Sequence, residues 1–450
     1  MIMKNVHYLW FALMTIGFLP GWSQSRQAKR IGDFIESTSY NEDKRGTVRR
    51  LQYHPEGDDF VCVNGKNRFT RALYGSWSPF RLETSDRPVF AAYDKKESKN
   101  IRFSLQCGTS VLALDSIDYC EARYTAGRRT YSLKDEAWKG GKLSVSVLAF
   151  PDADGAVWKF ETENMPKDAV LHCYISEIRA KKLNRNGDMG ADPPGCFEAP
   201  EHPEQLKQYD LRLDKESYLI LENLDLRIPT LAEGRMLYGK SEKARVSLVS
   251  RVKFITPDPY INTLGGTLVA AADGIWDGEV WLHGAVGWRM PLSGWRAAYT
   301  GDALGWHDRA RTHFDAYAAS QVTGVPNTIP HPAQDSAMHL ARSVKKWGTP
   351  QYSNGYICRN PHRNDQMHHY DMNLCYIDEL LWHLNWTGDV DYARKMWPVI
   401  TRHLAWEKLN YDPDNDGLYD AYACIWASDA LYYNSCLLYT SDAADDRISV

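Results

Sequence analysis

The chain lacks any CxxC pair and any Cys/His spacing of the metal-binding kind; its nine cysteines are scattered over 450 residues. That excludes a zinc-finger framework or a CxxC redox centre. It also lacks a basic excess. The formal charge is −4, and a nucleic-acid or anionic-membrane binder usually needs a basic face, so neither partner is expected. Long apolar runs are missing too. The stretch from Tyr8 to Leu19 holds a single polar residue, Thr15, but is too short for a bilayer, which takes roughly 20 residues. Behind Lys4, and ahead of Pro20, Gly21 and Ser23, it reads as the core of a secretory signal over residues 1–23. The expected location is periplasmic or extracellular, with no membrane insertion after signal removal. Some cysteines can pair in such a compartment, but the sequence does not say which. No cysteine follows the apolar run, which speaks against a lipoprotein anchor. At the other end, CLLYTSDAADDRISV (Cys436 to Val450) reads as a translated sequencing adapter, an artefact and not part of the fold.

What the chain has in plenty is aromatic side chains, with 16 Trp and 26 Tyr. Sugars present flat C–H faces and hydroxyl rims, which suit aromatic platforms beside polar groups. Tryptophan-rich packing explains the same count.

Residues 24–258 read as a β-sandwich-like domain. Leu143, Val145, Val147 and Ala149 alternate with Lys142, Ser144 and Ser146, as in a half-buried strand. Ala244, Val246, Leu248, Val252 and Phe254 continue that rhythm, and turn signals such as Pro151 to Gly155 separate the runs. Many short strands without a long helical pattern predict an antiparallel sandwich. The stretch from Asn184 to Pro203 is predicted to be a long loop. After about residue 260 the period becomes helical, with helices predicted over Asp302–Ser320, Gln334–Trp347, Gln366–Trp386 and Asp391–Asn410.

Here the residues carry a family likeness. Thr387-Gly388-Asp389, Trp397-Pro398, Leu404-Ala405-Trp406 and Asp412-Pro413-Asp414-Asn415-Asp416-Gly417-Leu418 resemble the hairpins of six-hairpin, (α/α)6 glycosidases. The stretch from Trp281 to Gln321 is similar to an uncharacterised branch of that superfamily, a glycosidase-like domain of unknown function common in gut Bacteroidetes. The resemblance implies a multidomain protein: an N-terminal antiparallel β-sandwich followed by a truncated (α/α)6 toroid over residues 259–435. Such a toroid has more helices than the sequence shows, so the chain is expected to be a piece, inactive as written. The implied activity is hydrolysis of oligo- or polysaccharides.

Tyr299-Thr300-Gly301-Asp302 is distantly similar to the end of the Glu-…-GWTGD sequence of α-L-rhamnosidases, which places Asp302 at their active-site aspartate. Their glutamate falls at Trp295, so the usual acid is absent from its usual place. Glycoside hydrolysis needs two carboxyl groups flanking the bond. Asp302, Asp429 and Asp420 are the catalytic candidates, each also readable as a cap or loop acid. Trp295, Arg296, Trp306, His307, Arg309, His369 and Asp378 are the substrate-binding candidates. Asp378 and Glu379 are adjacent on a predicted helix, so one is expected to face the barrel axis and the other solvent. His362, His368, His369 and Tyr370 could supply a metal site or the base of a polysaccharide lyase, the first rival reading. A non-catalytic glycan-binding protein is the second. Asp412, Asp414, Asp416 and Gly417 imitate an EF-hand start, but the twelfth position is Ala423. No cofactor is expected, although a calcium site of another kind stays possible.

Overall fold

The structure, a computed structural model, describes residues 28–31, 34–37, 53–66, 69–94, 97–183, 194–284, 289–294, 297–323, 328–330, 350–352, 354–364, 370–412 and 415–417. A hairpin of β1 (Ala28–Ile31) and β2 (Phe34–Ser37) comes first. Strands then follow in succession: β3 (His54–Glu56), β4 (Asp59–Val63), β5 (Phe69–Leu73), β6 (Arg81–Ser85), β7 (Phe90–Tyr93), β8 (Ser98–Cys107) and β9 (Ser110–Ala113). Next come β10 (Tyr119–Thr125), β11 (Arg128–Lys134), β12 (Lys142–Ala149), β13 (Gly155–Glu163), β14 (Val170–Glu177), β15 (Lys207–Arg212), β16 (Glu216–Glu222) and β17 (Asp225–Arg227). They make two antiparallel sheets. One has the order β17-β16-β13-β12-β11-β10-β4-β3, and the other β15-β14-β8-β7-β6-β5 with β9 beside β8. The expected sandwich is present.

Its core is aromatic. Phe90 meets Trp158 edge-on at 5.3 Å and Tyr131 at 5.8 Å, and Phe103 meets Phe160 at 5.6 Å. Each such side chain, taken out of water, contributes roughly 1.5–3 kcal/mol. Two ion pairs are also buried. Arg81 Nε lies 2.7 Å from Glu83, and Arg129 donates to Ser85 O and the Tyr53 hydroxyl, 3.7 Å from Asp86.

In β12, Leu143, Val145 and Val147 point inward as predicted. Ser146 and Leu148 are buried as well, because α1 (Leu231–Val249) lies across the outer face. Leu237 and Tyr238 of this helix pack on Leu148, Phe150, Val157, Tyr218 and Ile220. The Ser146 and Tyr238 hydroxyls are 2.7 Å apart.

Helix α1 corrects the sequence reading, which placed a strand through Ala244, Val246 and Leu248. Three alternating apolar residues are too few to tell the two periods apart. The helix is set by its start and its charges. Thr230 Oγ1 accepts the Glu233 N–H at 3.2 Å, and Glu242 pairs with Arg245 one turn on, at 2.7 Å.

Beyond it lie α2 (Pro259–Asn262), α3 (Leu264–Gly274), a small ribbon of β18 (Leu282–His283) and β19 (Met290–Pro291), then α4 (Tyr299–Ala303) and α5 (His307–Ala318). A second ribbon, β20 (Thr328–Pro330) with β21 (Pro350–Tyr352), precedes α6 (Tyr370–Thr387) and α7 (Val390–Tyr411). The predicted Asp302–Ser320 helix is therefore two. Gly305 takes φ +72° and turns the chain between α4 and α5. The Thr387-Gly388-Asp389 turn forms as its residues demand: Gly388 sits at φ +62°, and Asp389 accepts the Tyr392 N–H at 2.9 Å. The predicted Gln334–Trp347 helix lies outside the described residues. Trp276, Trp281, Phe314, Tyr317, Tyr376 and Met396 pack the helical layer, and α3 joins it to the sandwich by packing on α1. Among the described residues α6 and α7 make one long hairpin, with α4 and α5 beside it, and not a closed ring.

Candidate active site

Asp302 sits in the short helix α4 and is 7% exposed. Its carboxylate accepts from two imidazoles: His307 Nδ1 at 2.7 Å and His383 Nδ1 at 2.9 Å from both oxygens. A carboxylate has only acceptors, so each Nδ1 carries the proton and each Nε2 is the ring's other nitrogen. His383, on α6, is fully buried between Phe314 and Tyr392, at 5.4 and 5.5 Å, and its Nε2 has no partner. His307 opens α5, and its side chain is 43% exposed. A carboxylate that orients an imidazole whose far nitrogen can reach solvent is the geometry of a histidine general acid or base.

Beside it, the Tyr299 hydroxyl donates to Asp378 Oδ2. Burial first, then Asp378 and Glu379, pushes the Tyr299 phenol up. Glu379 is 1% exposed and Asp378 half-buried. Of the adjacent pair, Glu379 is the inward acid, and Asp378 keeps part of its surface in solvent while accepting from Tyr299. Glu379 also raises the phenols of Tyr317 and Tyr376, though burial is the larger cause in both.

Trp306 and Arg309 fall in a different cluster. The Arg309 guanidinium lies 4.3 Å from the Trp306 ring centre, 5.0 Å from Trp77 and 5.4 Å from Trp276, and it bonds Asp273 at 2.7 Å. Trp306 is only 6% exposed and has Arg251 at 5.5 Å as well. The open aromatic surface here is Trp77, 49% exposed, on the sandwich loop between β5 and β6.

Trp295, Arg296, His369, Asp420 and Asp429 lie outside the described residues. His362 pairs with Glu279 at 2.6 Å. Asp412 accepts the Gly417 N–H at 3.3 Å, whereas Asp414 lies outside the described residues. Among the described residues no group of three or more His, Cys, Asp or Glu is arranged for a metal ion, and no helix is long and apolar enough to cross a membrane.

The sequence reading missed His383, Tyr299, Asp273 and Trp77. His383 had a faint signal, four residues after Glu379 and in step with Tyr376 and Leu380 on the buried face of α6.

The sequence model of a family described as a domain of unknown function (DUF4450) matches residues 98–249. That span covers β8 to α1, and not the Trp281 to Gln321 stretch. No curated protein matches the chain. Among solved structures the chain is similar to a bacterial glucoamylase complexed with acarbose, at 9% identity and a TM-score of 0.39. The likeness spans 77% of this chain and 61% of that one, less than two thirds of its length.

Proposed function

We propose that this protein is an exported glycoside hydrolase that acts on oligo- or polysaccharides by carboxylate acid–base catalysis. The observation that carries the reading is the gathering of Asp302, Asp378 and Glu379 where α4 meets α6, beside the part-exposed His307. Glycoside hydrolysis needs one carboxyl to protonate the leaving oxygen and another to attack or to activate water. Asp302, receiving two imidazole N–H bonds, takes the stabilising role, and Glu379, buried on the helix that carries His383, is assigned the role of the second acid. Asp420 and Asp429 belong to the proposed set as loop acids, and Trp295 and Arg296 to its sugar-binding side. The sequence likeness to six-hairpin glycosidases and the apolar run at Tyr8 to Leu19 support the class and the export.

A polysaccharide lyase is the second reading, and the Asp302–His307 pair favours it, because β-elimination needs a base rather than paired acids. Both are tested on the protein expressed from its gene, with a panel of plant and host glycans and products followed by mass spectrometry. Hydrolysis gives reducing ends with water added, and Asp302→Asn or Glu379→Gln lowers kcat by about 10²–10⁴. Unsaturated, ultraviolet-absorbing products would transfer the assignment to the lyase. A folded protein that cleaves nothing in the panel would sink both.

A further inference from the structure

We propose that the junction between the sandwich and the helices holds a second, non-catalytic site for one neutral pyranose ring. A cavity of about 230 Å³ lies where the loop after β5 meets α1, α3 and α5. Sites for drug-sized ligands span roughly 300–1,000 Å³, so this one fits a single ring rather than a chain.

Its walls have the chemistry of sugar recognition. Tyr74, Trp77 and Tyr124 supply flat aromatic faces, and Leu148, Leu248 and Pro151 add apolar surface. Polar groups interrupt them. Ser241 lines the cavity, and its Oγ is buried without a partner. A buried hydroxyl left unbonded costs about 1–3 kcal/mol, which a ligand hydroxyl can recover. Tyr74 brings another hydroxyl to the wall.

Charge selects the class. The cavity's cations are already neutralised: Arg309 by Asp273 at 2.7 Å, and Arg245 by Glu242 at 2.7 Å. With no free charge in the wall, an anionic sugar has nothing to pair with, while a neutral polyol meets acceptors and donors at fixed positions.

The walls are also held in place before any ligand arrives. The Ser76 and Ser78 hydroxyls both donate to Asp154, and Arg289 bonds Gly274 O at 2.6 Å and Trp77 O at 3.2 Å. Arg289 thus ties the Trp77 loop to the end of α3. Preorganisation of this kind spares a ligand the cost of ordering its site.

The site is independent of the hydrolase reading, since its lining includes neither Asp302 nor Glu379, and its one carboxylate, Asp273, is paired with Arg309. The test is isothermal calorimetry on the whole protein with D-glucose, D-galactose, D-xylose and L-rhamnose, and with D-glucuronate as the charged control. At least one neutral sugar should bind with a midpoint on the order of 1 mM, and glucuronate at least tenfold more weakly. Ala244→Phe, which fills the cavity from α1, and Trp77→Ala, on an exposed loop, should each weaken binding at least tenfold. The unfolding midpoint should stay unchanged in both. No binding by the folded protein, or binding that survives Ala244→Phe, would overturn the proposal. Glycan cleavage reads Asp302 and Glu379 instead, so either idea can fail while the other stands.

Discussion

In the sandwich the buried charges are arginines tied to carboxylates and backbone: Arg129 to Ser85 O and Tyr53, Arg81 to Glu83. In the helical layer the buried polar groups include imidazoles and acids, among them His313, His383, His403, Glu379, Glu407 and Asp302. Arginine keeps its charge at any ordinary pH, whereas histidine changes state near neutrality. The first region is built to stay the same. The second gathers groups that can move protons, and it is the part that acid should loosen first.

The largest expected effect lies in the sandwich. Trp158→Ala removes a fully buried ring at the Phe90–Phe103 contact and should cost about 3–5 kcal/mol in denaturant unfolding. A loss below 1 kcal/mol would mean that the aromatic cluster does not anchor this half. His383→Ala comes next, at about 2–3 kcal/mol, because it leaves Asp302 short of a partner in a buried place. Hydrogen exchange should show the loss in α4 to α6, with the sandwich amides unmoved. If both regions respond alike, the two are one cooperative unit and the contrast fails. His307→Ala, at a part-exposed ring, should cost less than His383→Ala.

Acid sharpens the comparison. Burial lowers the His313 pKa from 6.5 to about 3, and its Nδ1 accepts the Trp281 N–H at 3.2 Å. The unfolded chain takes up this proton near 6.5 and the folded one only near 3. The stability from neutral His313 is therefore complete above about 6.5. It drains away as pH falls from there towards 3, by at most about 1.4 kcal/mol per pH unit. Melts of His313→Phe across that window should show a shallower slope than the parent, and an unchanged slope would refute the assignment.

Thr230→Ala, which removes the α1 cap, should cost about 1 kcal/mol. Arg235→Ala should be the smallest change. Arg235 bonds Glu216 and holds that carboxyl down at about 2, but it is more than half exposed, so no shift in the melt is expected.

How much of this was legible depended on how local the cause was. The β12 strand and the Thr387-Gly388-Asp389 turn were readable because alternation, a glycine in the left-handed region and an aspartate cap act within a few residues. Asp302 was singled out in the sequence only through the family likeness. Its partner His383 was not, being 81 residues away on a helix whose buried face no nearby residue announces. Helix α1 was misread because its amphipathic stripe is weak: it packs on a sheet along one narrow side and carries charges around the rest. Trp77 gave no signal either, since only the meeting of two distant segments makes its loop a wall.

That same helix has a consequence for the order of folding. Until residues 231–249 dock, the strip of Leu148, Phe150, Val157 and Ile220 faces water on an otherwise finished sheet. A folding sandwich without this helix is thus sticky on one side, the kind of exposed apolar surface that invites aggregation. Docking of α1 ends that exposure, and only then does the chain have a dry surface on which its helices can assemble.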